Sequence, residues 1–184
     1  MKESPFVEVF KSVASEISQS LSVKKGANLF YQLTLDRNLK LPLDLEKPPK
    51  RGDSAFQTDI CVFENIGGIE LPRVVIEFKT NISTHDVLTY STKAGKHKKI
   101  YPWLRYGLLA SEIGNIPGRF FVHNDSLDFF IAAKKYKNSA MLHSFARELI
   151  QQEIKISQML EKIHFGDSKF DFYRTNIVFE NFSK

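Results

Sequence analysis

Apolar residues recur at three- and four-residue spacings near the start of the chain, where Phe6, Val9, Phe10, Val13, Ile17 and Leu21 form a single stripe. That spacing predicts an amphipathic helix over residues 4–21, with Ser4 as N-cap and Pro5 at the first helical position. Residues 55–64 and 73–80 are short runs rich in Val, Ile and Phe, bounded by turn formers, and they predict two strands of a hairpin around the Gly67-Gly68 pair. From Thr84 to Ala110 the pattern is helical in part, with Thr84 as cap and breaks expected at Gly95 and Pro102. Residues 119–123 and 127–133 predict two short strands around Asn124-Asp125-Ser126. Residues 139–163 place Leu142, Phe145, Leu149, Ile150, Ile154, Met159, Leu160 and Ile163 on a second long helical stripe.

Residues 24–49 give a weaker signal: a strand over residues 28–35, then an irregular connection carrying Pro42, Pro48 and Pro49. Residues 170–182 form an aromatic tail with no regular pattern. The elements read helix, hairpin, helix, strand pair, helix. This order implies an α/β fold, a mixed central β-sheet flanked by helices. No repeat or linker divides the chain, so a single domain spanning residues 1–184 is expected.

Two charges interrupt the apolar run Val74-Val75-Ile76-Glu77-Phe78-Lys79. Side chains alternate along a strand, so Glu77 and Lys79 share one face while Val74, Ile76 and Phe78 take the other. Burying charge there is costly unless something is gained. The neighbouring run 57–62 supplies Asp59, which a hairpin brings toward Glu77. Two close carboxylates repel unless a cation joins them, and hard oxygen ligands suit Mg²⁺, with Mn²⁺ as a substitute. The carbonyl of Phe78 adds a further oxygen, and Lys79 is placed to orient or deprotonate a water and offset transition-state charge. The same acidic-x-Lys pattern at Glu153-x-Lys155 and Asp167-x-Lys169 reads as solvated charge on a helix and in a turn.

Asp59 followed by Glu77-Phe78-Lys79 resembles the signature of the PD-(D/E)XK nuclease superfamily, with Thr58 where the motif name places Pro. The resemblance implies a restriction-endonuclease-like core, metal-dependent hydrolysis of DNA phosphodiesters to 5′-phosphate and 3′-hydroxyl ends, and metal ligation by Asp59 and Glu77. It also implies an acidic ligand from the first helix, for which Glu16 is the candidate and Glu8 the weaker one. A basic segment after the motif in a chain of this size is similar to a compact type II restriction endonuclease. A junction-resolvase-like repair nuclease and a catalytically inactive DNA-binding module of the same fold are the rival readings.

Charge sharpens this picture. The net charge of +5 comes from 26 basic and 21 acidic residues, and the segment 87–111 holds Lys93, Lys96, Lys98, Lys99 and Arg105 with no acid at all. The remaining basic residues balance the acidic ones, so the excess is local and suits a polyanion. Lys93, Lys96, His97, Lys98, Lys99 and Arg105 are therefore the expected DNA contacts, the lysines to phosphates and His97 or Arg105 to base edges. Trp103, Leu104, Leu108 and Leu109 read as core, His85 and Asp86 as a helix-capping pair, Cys61 as a small core residue, and Met141 and Met159 as packing. With one cysteine the chain has no disulfide of its own, and the opening residues lack a signal or anchor pattern, so a cytoplasmic protein is expected. Cutting both strands of duplex DNA from one site per chain favours a homodimer.

Overall fold

A computed structural model describes residues 4–43, 47–136, 139–169, 171–174 and 178. Helix α1 (Ser4–Ile17) buries Phe6, Phe10 and Val13 of the predicted stripe together with Val7 and Ala14, while Val9 and Ile17 are only partly buried, so the buried face is turned toward Val7 and Ala14. It stops four residues earlier than expected. Ser18, Ser20 and β-branched Val23 favour extended backbone, and strand β1 (Leu21–Lys25) leaves the helix to pair with a neighbour. The short strands β2 (Asn28–Phe30) and β3 (Ala55–Gln57) form a separate antiparallel ribbon.

Strands β4 (Ile60–Ile66) and β5 (Ile69–Lys79) form the predicted hairpin, but its loop is shorter than the sequence implied. Gly67 and Gly68 both take positive φ and close a two-residue turn whose twist matches the strands, so β5 begins at Ile69. Helix α2 (Thr84–Ile100) runs through Gly95 unbroken. A Cβ at Gly95 would stand 2.8 Å from Ser126 Oγ, so the glycine permits close packing against the turn at 124–126. Its N-cap is Ser83, whose hydroxyl and the Asp86 carboxylate form a reciprocal capping box, as the capping role expected of Asp86 requires.

The second half of the expected helical segment is a strand, β6 (Arg105–Ala110). Five of its six residues are buried, as in a central strand covered on both faces, and such a short apolar run has no period to separate strand from helix. Residues 119–123 reverse the error: they lie in the short helix α3 (Gly118–His123), with Phe120 buried but Phe121 and Val122 both exposed, against strict alternation. Strand β7 (Phe129–Ala132) and helix α4 (Ser139–His164) lie where the pattern put them. The aromatic tail at 170–182 falls mostly outside the described residues.

The main sheet has the order β1-β4-β5-β6-β7. Its first three strands are antiparallel, and β6 and β7 continue parallel to β5. One face, with Val62, Val74, Ile76 and Leu109, packs on α1 and α4; the other, with Cys61, Val75, Tyr106 and Leu108, packs on α2 and α3. This is the mixed α/β fold the element order implied. Trp103, Leu104, Leu108, Leu109 and Cys61 are buried, whereas Met141 and Met159 are exposed and do not serve as core.

Candidate active site

The predicted single strand over residues 55–64 bends at Thr58-Asp59. Thr58 donates from both its amide and its hydroxyl to the carbonyl of Ala27, at 2.8 and 2.9 Å, which turns the chain out of the ribbon and into the main sheet. Asp59 therefore stands at the entrance to β4, across from the end of β5. Its Oδ2 accepts from the Phe78 amide at 2.7 Å, and its own amide donates to Glu77 Oε2 at 3.3 Å. The two acidic residues are thus adjacent and mutually oriented. Asp59 Oδ1 has no protein partner among the described residues.

Glu77 is 1% exposed on the α2 face of the sheet. Burial pushes its carboxyl above the ordinary value, the nearby Asp59 adds to this, and Lys93 opposes it. Oε1 accepts from Lys93 Nζ at 2.6 Å and from the hydroxyl of Tyr106. Lys93 also donates to the Gln57 carbonyl at 2.6 Å, bridging α2 to the bend beside Asp59. Lys79 projects from β5 two residues after Glu77, pairs with Asp86 Oδ1 at 3.2 Å and lies 5.5 Å from the centre of the Tyr90 ring. The Asp86 hydrogen bond holds its pKa above the ordinary value, which favours the ammonium form.

Glu16 is not part of this group. It accepts from His143 and Arg147 of α4, at 2.8 and 2.6 Å, and these bonds, with one from Ser12, lower its pKa to about 2. Helix α1 covers the opposite face of the sheet from Glu77, so its carboxylates cannot meet Asp59. Glu8 lies on the same helix and pairs with Lys11. Among the described residues no three His, Cys, Asp or Glu side chains cluster as a ready metal site. The donors that do converge, Asp59 and Glu77, fit a cation that keeps most of its own waters and takes one or two protein carboxylates. The open Oδ1 of Asp59 gives such an ion a point of entry.

The basic segment separates into unlike parts. Lys96 and Lys99 are exposed, as the polyanion reading requires. Lys93 is engaged by Glu77. His97 is fully buried: its Nδ1 lies 2.9 Å from the Phe30 carbonyl, its ring stacks on Tyr106, and burial lowers its pKa to about 4, so it is neutral and unable to reach a base. Lys98 and Arg105 belong to an internal network in which Lys98 pairs with Asp128 at 2.7 Å, and Arg105 with Asp128 at 2.7 Å and Glu153 at 2.6 Å. Glu153, expected to be solvated, is buried by this pairing. Sequence reasoning missed Tyr106 and the role of Lys93, because the segment carrying Tyr106 had no visible strand period. The spacing of Tyr90 and Lys93 on one helix face was the only available signal.

A cleft of about 690 Å³ opens beside Lys93, between α2 and the β3 end. A smaller hollow of about 440 Å³, lined by both apolar and charged side chains, lies at the other edge of the sheet, under β7 and α4. This chain matches no protein-family model and no curated protein. Among the described residues no helix is long and apolar enough to cross a membrane.

Proposed function

We propose that this chain is a magnesium-dependent DNA endonuclease of the PD-(D/E)XK kind, acting as a restriction enzyme on duplex DNA, with a homodimer as the arrangement that cuts both strands. One observation carries the reading: Asp59 and Glu77 meet from adjoining strands through the bonds at Phe78 and Asp59, with Lys79 two residues on. Asp59 and Glu77 would hold the ion, with the Phe78 carbonyl alongside. When bound it would polarise a phosphoryl oxygen and lower the pKa of a water.

The remaining work falls to side chains. Lys79, held protonated by Asp86, offsets charge that develops on the phosphate. Tyr106 and Lys93 fix Glu77 in one orientation inside the sheet, so the carboxylate is set before substrate arrives. Lys96 and Lys99 contact the backbone of the bound strand.

Incubating the protein with plasmid, in Mg²⁺ and in chelator, tests the reading. Cleavage in Mg²⁺ alone is expected, and discrete fragments favour a restriction enzyme over a nuclease that selects branched DNA. A second reading rests on the Lys93–Glu77 pair: an ammonium already balances the deeper carboxylate, as in a DNA-binding module without catalysis. Binding that ignores Mg²⁺, with no nicking, would select that module.

A further inference from the structure

The cleft beside Lys93 is built unlike the rest of the basic surface. One wall, on the β3 side, carries Arg51 and the aromatic ring of Phe56. The other, formed by α2, carries Lys93 and Lys96 beside the half-exposed Leu88, and no Asp or Glu lines the cleft among the described residues. Phe56 stacks on Tyr31 with ring centres 4.0 Å apart and planes 19° from parallel. Lys96 Nζ is 5.3 Å from one ring centre and 5.7 Å from the other. A point nearly equidistant from two stacked rings lies beside the pair, so the ammonium borders the aromatic surface without covering an outer face.

An aromatic ring set among several cations, with no acid beside them, answers to one ligand chemistry, a planar base carrying a phosphate. The site is larger than a phosphate groove needs, and it joins the Asp59–Glu77 centre through Lys93, whose ammonium touches both the Gln57 carbonyl and Glu77. Phosphate contacts alone would require no aromatic surface.

We propose that this cleft receives one unpaired nucleotide of the bound strand, its base against Phe56, which Tyr31 backs, and its phosphate between Arg51 and Lys96, beside the phosphodiester presented to Asp59 and Glu77. The proposal rests on the nuclease reading for what happens next to the cleft, but occupancy is measured separately from cleavage. Extruding a base costs least where it is mismatched or already single-stranded, so such sites bind best.

The test uses duplexes with 2-aminopurine at successive positions, bound in chelator and read by fluorescence, with cleavage of the same duplexes measured in Mg²⁺. A rise at one position is expected, larger when that base is mismatched. Phe56→Leu should reduce the rise and weaken binding of the mismatched duplex about tenfold, while the fully paired duplex is less affected. Arg51→Ala, an exposed change that leaves the aromatic pair in place, should weaken the same binding. No rise at any position, or equal rises in wild type and both variants, overturns the proposal even if the DNA is cut. A rise that depends on Phe56 and Arg51, without cleavage in Mg²⁺, supports the cleft and rejects the nuclease reading.

Discussion

The ammonium of Lys93 lies 2.6 Å from Oε1 of Glu77, a carboxylate otherwise enclosed by the sheet and α2. Removing Lys93 leaves that charge buried with only the Tyr106 hydroxyl and the Asp59 amide as partners. Burial already raises the Glu77 pKa above 4.5, and losing the cation raises it further. A carboxyl raised in the folded state penalises folding once it must ionise. The penalty is absent below the ordinary value, grows as pH rises from there to the folded pKa, and is complete above it. Lys93→Met is therefore expected to cost about 3 kcal/mol at neutral to alkaline pH and little at about pH 4. Urea unfolding at both ends of that range measures it, and an equal loss at both would reject Glu77 as the cause.

Catalysis is probed by near-isosteric changes. Asn at position 59 still accepts from the Phe78 amide, so Asp59→Asn removes charge and keeps the bend. Glu77→Gln and Lys79→Met likewise remove charge without opening a cavity. Each is expected to lower the Mg²⁺-dependent cleavage rate about 10² to 10⁴-fold with an unchanged circular dichroism spectrum. A variant that keeps full activity takes its residue out of the mechanism.

The lysines of α2 should divide by their partners. Lys96→Ala and Lys99→Ala are each expected to reduce the salt dependence of DNA binding by about one unit of slope. Lys98→Ala should leave the slope alone and lower stability by about 1 to 2 kcal/mol instead, because Asp128 loses one of two part-buried partners while Arg105 remains. Binding titrations over a range of salt, paired with thermal unfolding, separate the two effects. A slope change for Lys98→Ala would mean that its network opens on binding.

The β5 charges were legible in sequence because a strand alternates: Glu77 and Lys79 had to share a face, and that face proved to be the one under α2. Asp59 was legible only as a neighbour, since its position depends on the Thr58 bonds to Ala27, contacts 31 residues apart. Glu16 had the right chemistry on the wrong side of the sheet, which depends on which face α1 covers and is invisible in local pattern. The basic run was legible as a total and misleading in detail. His97, Lys98 and Arg105 are charged or polar residues that tertiary partners draw inward, and no spacing rule encodes Asp128 or Glu153 as those partners. Residues 105–110 and 119–123 exchanged helix for strand because short apolar runs carry no usable period.

Gly107 marks how tightly the sheet is packed beside the site. It lies in β6 between Ile76 of β5 and Phe129 of β7. A Cβ there would fall 1.9 Å from Phe129 Cε2, far inside contact distance, so the ring lies directly against the glycine. Gly107→Ala must displace either the half-buried ring or the strand. Overpacking of this kind costs about 1 to 3 kcal/mol. Because Tyr106 precedes Gly107 and donates to Glu77, a displaced strand also loosens the carboxylate, and cleavage should fall along with the melting temperature. Phe129→Leu in the same chain frees the space and is expected to restore both. If stability returns and cleavage does not, the defect lies in the Tyr106 contact itself, whereas an unaffected Gly107→Ala protein would show that the Phe129 ring yields and β6 stays in place.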